Sequence, residues 1–144
     1  MDQQAHHPDV QQQSHHPDAQ QQAHHPGAQQ HFDHHRLDAW RIAFEAMVEG
    51  DRISKAIPRG YGKLKDQLDR ALQGAFTLTS EAAARTGADR ACRFRWARAE
   101  ANEAAAVLEA LPQLGAADPE AAAAVIGKLW RLSAMLTRLA MPKR

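Results

Sequence analysis

Apolar residues recur at three- and four-residue intervals through most of the chain after about residue 32, and hardly at all before it. The spacing predicts a first helix from about Asp33 to about Ile57. Asp33 is its expected N-cap, and Leu37, Trp40, Phe44, Met47 and Val48 its expected core stripe. Pro58-Arg59-Gly60-Tyr61-Gly62 stops it. A second helix is expected from about Lys63 to Arg85, turning Leu64, Leu68, Ala71, Leu72, Ala75, Thr79 and Ala82 inward. Gly74 inside it costs about 1 kcal/mol relative to Ala, and Gly87 suits the residue just past its end.

A third helix is expected from about Asp89 to Leu111. Its core stripe of Phe94, Ala97, Ala101, Ala104, Ala105 and Leu108 consists mostly of small residues, and Pro112 and Gly115 close it. The fourth has the clearest start, with Asp118 as N-cap, Pro119 in the first helical position and Glu120 favouring the dipole. Val125, Leu129, Leu132, Leu136 and Leu139 then form a seam, and Pro142 ends it. No stretch alternates convincingly with period two, so no strand is expected. The fold class is all-α: an up-down-up-down four-helix bundle over residues 32–144, behind a disordered His/Gln-rich tail over residues 1–31.

Some large apolar residues fall off these stripes. At about 100° per residue, Trp96 lies opposite the Phe94/Ala101/Leu108 side, with Val107 near it. On the last helix Ile126, Trp130 and Thr137 lie beside the leucine seam. Trp96, Val107, Ile126 and Trp130 are therefore expected at an oligomer interface, most simply with another copy of the chain. The plainer possibility is a broad core stripe with both rings half buried.

The tail is a nine-residue repeat of His-His-Pro followed by a Gln-rich stretch. All nine histidines lie within the first 35 residues. Polar, Pro-punctuated sequence buries too little apolar area to offset the entropy of ordering it, so disorder is expected. The pairs His6-His7, His15-His16 and His24-His25 are candidate ligands for a divalent transition metal. A solvated tail with only incidental metal affinity is the plainer possibility.

All 18 Lys and Arg lie from Arg36 onward, with 13 of the 17 acids, so that part of the chain carries +5. This is mild for a nucleic-acid binder. Arg85, Arg90, Arg93, Arg95 and Arg98 nevertheless crowd around Trp96, a pattern that can hold phosphates and stack a base. Nearby Asp89, Glu100 and Glu103 offer the alternative of a salt-bridged face. Cys92 is the single cysteine, so no intrachain disulfide can form and a reducing, cytoplasmic setting is expected. The first residues hold no apolar stretch, so no secretory leader is expected, and no apolar run reaches about 18 residues, so no membrane partner is expected. With no histidine from Arg36 onward, Ser-His-Asp, Cys-His and di-iron Glu-x-x-His chemistry are not expected. Gly60-Tyr61-Gly62 is too short for a phosphate loop. No enzyme and no cofactor are expected.

Pro58-Arg59-Gly60, then Gln67-Leu68-Asp69-Arg70-Ala71, Glu81, Phe94-x-x-Ala97 and Glu103 have a familiar layout. So has the closing Met135-Leu136-Thr137-Arg138-Leu139. The chain resembles the bacterial four-helix-bundle family first noticed in intervening sequences of 23S ribosomal RNA genes. That family includes the accessory variability determinant of diversity-generating retroelements. The resemblance spans roughly residues 37–140. Leu78 and Ala82 stand where the family usually has Asn and Gly, and Arg93 and Phe94 where it has Phe and Leu. What it implies is a non-enzymatic bundle assembled as a ring, often of five, with nucleic acid or a reverse transcriptase as partner. Read from the residues alone, Arg70 and Glu81 share the face away from the core and are free to bond between helices or between subunits; the plainer possibility is an ordinary exposed helix surface, worth little energetically.

The function expected from these observations is a non-enzymatic oligomeric scaffold or adaptor that can present a basic face to nucleic acid or to a nucleic-acid enzyme. The alternative is a metal-sequestering protein acting through the histidine tail.

Overall fold

A computed structural model of the chain describes residues 31–143. The expected tail disorder and the candidate ligands His6, His7, His15, His16, His24 and His25 lie outside the described residues. A compact unit spans His31–Arg144. It holds four helices: α1 (Asp38–Lys55), α2 (Gly62–Ala83), α3 (Gly87–Gln113) and α4 (Pro119–Leu139). There is no strand among the described residues. Each helix packs on two neighbours, α1 on α2 and α4, and α3 on α2 and α4.

The ends of α3 and α4 follow from local chemistry. Asp118 caps α4 by accepting a 2.8 Å hydrogen bond from the Ala121 amide, and Pro119 occupies the first turn. Gly115 takes φ +68°. There its amide donates to Pro112 O at 3.0 Å and the Ala116 amide to Leu111 O at 2.8 Å, a Schellman closure of α3. Pro112 thus falls inside the last turn of α3 rather than after it.

The α2 stripe is buried as its spacing predicts, from Leu68 through Ala82, with Leu64 partly covered. On α4 the seam from Val125 to Leu136 is buried with Ala122. The first helix differs from expectation. A 3-10 turn over Asp33–Arg36 precedes a break at Leu37, and α1 starts without a side-chain cap. Its inward face is Ala39, Ile42, Ala43, Ala46, Gly50 and Ile53, not the Trp40/Phe44 stripe. The reason is steric. Gly50 faces the Leu72 side chain so closely that no Cβ fits between them, and a face of Ala and Gly lets α1 lie close against α2. Trp40 and Phe44 flank that face and stack on each other and on Phe76 of α2, with centroids 5.6–6.0 Å apart.

The unit is also not free of histidine. His34 and His35, in the 3-10 turn, place their rings 4.7 and 5.4 Å from Trp40. Among the described residues no group of three or more His, Cys, Asp or Glu is placed to hold a metal ion.

Candidate functional site

Two surfaces carry the residues singled out by sequence: a polar seam between α2 and α3, and a groove between α3 and α4. The seam is set by pairing in opposite order along the two helices. Near the start of α2, Gln67 and Arg70 both donate to Glu103 Oε1, the latter at 2.5 Å. Near its end, Glu81 Oε2 accepts from Arg93 at 2.5 Å. Between them, Gly74 leaves room for the side chain of Glu100, one of whose carboxylate oxygens is buried with no hydrogen-bond partner. Arg70 and Glu81 therefore do not bond to each other. Each reaches across to α3, and Gln67, Arg70 and Glu103 converge in one cluster.

The arginine cluster is divided by these contacts. Arg90 donates to the carbonyls of Ala82 and Ala83 at 3.0 and 3.2 Å, where the C-terminus of α2 concentrates partial negative charge. Its guanidinium also lies 4.9 Å from the Phe94 ring centroid. Arg93 bridges Glu81 and Asp89 and lies 6.0 Å from the Trp96 ring centroid. Arg85 lies 3.7 Å from Asp89. Arg95 and Arg98 are exposed, and among the described residues neither has an ion-pair partner. Five arginines close in sequence thus leave two free guanidinium groups.

The expected second apolar face is also divided. Trp96 is 54 % exposed and lies on the α2 side of α3, beside Arg93. Trp130, on α4, is 76 % exposed and lines the groove on the opposite flank of α3. Val107, expected beside Trp96 on the outside, is only 7 % exposed and belongs to the core, because α3 is covered on both flanks by α2 and α4. Ile126 is half-buried against the core at the edge of the groove.

The groove has a volume of about 450 Å³. The half-buried Ala105 and Ala134 give it a shallow floor, with the exposed Ala106 at its rim, and Arg98, Asn102 and Glu109 line its α3 side. Asn102 Oδ1 accepts a 3.0 Å hydrogen bond from Ser133 and ties the two helices together at mid-groove.

Sequence reading missed the ion pair that joins α1 to α4. Lys128 donates to Glu45 at 2.8 Å and lies 3.1 Å from Glu49. The hydrogen bond from Lys128, and then its charge, hold the Glu45 carboxyl below its ordinary value. Hydrogen bonds to Glu45 and Glu49 hold Lys128 above its own. The spacing of Glu45 and Glu49 was legible as one face of a helix, but the partner lies 83 residues away from Glu45.

No helix among the described residues is long and apolar enough to cross a membrane. No family model and no curated protein matches the chain.

Proposed function

We propose that this chain is a non-enzymatic helical scaffold that assembles with copies of itself and presents its remaining surface to a partner. The observation that carries the reading is Trp130, whose large apolar ring stands 76 % exposed beside a floor of alanines. Aromatic side chains in that setting anchor protein interfaces, because they bury much area at little entropic cost. The resemblance supports the same reading and implies a ring of five, with nucleic acid or a reverse-transcriptase-like protein as partner. Within the arginine cluster Arg95 and Arg98 are the free charges available for such a partner, a much smaller basic face than five arginines would make.

Sedimentation velocity of the full chain over a concentration series tests the proposal. An oligomer that Trp130→Ala dissociates supports it. A chain that stays monomeric at the highest concentration overturns it.

A further inference from the structure

Arg98 and Glu109 mark two ends of the α3/α4 groove, and both are exposed. Among the described residues neither has an ion-pair partner. They are eleven residues apart on one helix, or about 16 Å along its axis.

The register of α4 against α3 is fixed. Residues 114–118 join the helices and span about 17 Å at most, against about 30 Å for the length of α4, so the two neighbours run antiparallel. Ser133 bonds to Asn102. Trp130, three residues before Ser133, therefore lies level with Ala105, three residues after Asn102. That level is close to the midpoint between Arg98 and Glu109.

We propose that this face is a two-fold interface with a second copy of the chain. The two α3 helices lie antiparallel, Arg98 of each copy meets Glu109 of the partner subunit, and Trp130 packs over the alanine floor next to the axis. The argument is one of symmetry. A two-fold contact lays one surface on itself, so its charges match only if each meets its opposite after a half-turn. A half-turn about the midpoint of Arg98 and Glu109 does this for both residues. The small residues there let the copies approach closely enough to cover Trp130. The face of α3 and α4 measures about 35 by 20 Å, comparable with the ~800 Å² that each partner contributes to a standard specific interface.

This inference rests on the self-association reading and names its interface and symmetry. A two-fold face closes on itself, whereas a ring of five joins two different faces. Four samples of the full chain decide between them by sedimentation velocity: Arg98→Glu, Glu109→Arg, the double exchange, and an equimolar mixture of the two single variants. Each single variant sets like charges against each other twice, and its self-association is expected to weaken by roughly tenfold or more. The double exchange restores both pairs and with them the dimer. The mixture also restores both pairs, giving a one-to-one heterodimer. Both positions lie outside the core, and unchanged helical circular dichroism checks that the variants remain folded. An oligomer indifferent to both single exchanges, or one with the mass of five chains, overturns the two-fold and leaves self-association standing. A wild-type chain that is monomeric throughout overturns both.

Discussion

Gly74 of α2 lies directly beneath the side chain of Glu100 of α3: a Cβ placed on it would come within 2.9 Å of Glu100 Cγ and Cδ. Two effects oppose each other in Gly74→Ala. Alanine favours the helix by about 1 kcal/mol, and the new methyl displaces Glu100. That displacement costs little, because the side chain is long, half-buried and holds a carboxylate oxygen with no partner, which gains water on moving outward. We expect Gly74→Ala to leave stability unchanged or to raise it by up to about 1 kcal/mol, measured by urea denaturation.

Gly50→Ala tests the opposite sign. Here the obstacle is the end of the Leu72 side chain, which is buried in the core with its neighbours packed around it. Overpacking of that kind costs about 1–3 kcal/mol, more than the gain in helix propensity. We expect net destabilisation, with α1 pushed off α2. A variant as stable as the parent would mean that Leu72 has room to turn.

These two glycines show where sequence stops being informative. The periodic stripes of α2 and α4 and the Asp118-Pro119 start of α4 are local features, and they were legible. The inward face of α1 was not, because reading by size favours Trp40 and Phe44, whereas the closeness of α2 selects Ala39, Ala43, Ala46 and Gly50. Val107 was misplaced for a related reason: a helical wheel assumes one buried face, but α3 is covered on two flanks. The arginines were visible as a cluster, but their acceptors Glu81, Ala82 and Ala83 are contributed by another helix at a register that no spacing reveals. His34 and His35 fell inside the expected first helix, and the structure instead places them in a 3-10 turn that brings their rings onto Trp40. Trp130 was legible as an off-seam residue because the leucine seam beside it is so regular.

In the Gln67–Arg70–Glu103 cluster Arg70 is exposed and Glu103 half-buried, so water screens the ion pair and it contributes little to stability. A double-mutant cycle on Arg70→Ala and Glu103→Ala is expected to give a coupling of about 0.2–1 kcal/mol that shrinks as salt is added. A coupling well above this range would assign the cluster a structural role that its exposure does not suggest.

The Lys128 bridge makes the α1–α4 contact sensitive to acid. Glu45 is depressed in the folded chain, so its contribution is in place above its ordinary value of 4.5 and is lost as pH falls through the lower folded value. Lys128 is raised, so its contribution is in place below 10.5 and is lost as pH rises through the higher folded value. Between those limits the bridge is intact. We expect Lys128→Met to lower the Tm at neutral pH, and the gap to the parent to close in acid once Glu45 is protonated. Thermal melts followed by circular dichroism read this directly. A gap independent of pH would assign the loss to packing of the lysine stem.

The basic face of α3 can make only a limited electrostatic contribution to contact with nucleic acid. Each phosphate neutralised contributes about −0.9 to the slope of log affinity against log salt on duplex DNA. Arg85, Arg90 and Arg93 already serve Asp89, the end of α2 and Glu81. A phosphate reaching them must displace a partner that is already in place, so it gains little. On α3 that leaves Arg95 and Arg98, whose contribution to the slope is no steeper than about −2 per protomer, or about −1 where Arg98 is taken up by the partner subunit's Glu109. We therefore expect at most weak, sequence-independent binding to single- and double-stranded probes, vanishing near physiological salt. Arg95→Gln with Arg98→Gln should flatten the slope by up to about 2, whereas Arg93→Gln should leave it unchanged while weakening the α2/α3 seam. Fluorescence anisotropy against salt separates these outcomes. A slope of about −4 or steeper would mean that the paired arginines release their acids on binding, and would return the whole cluster to the interface.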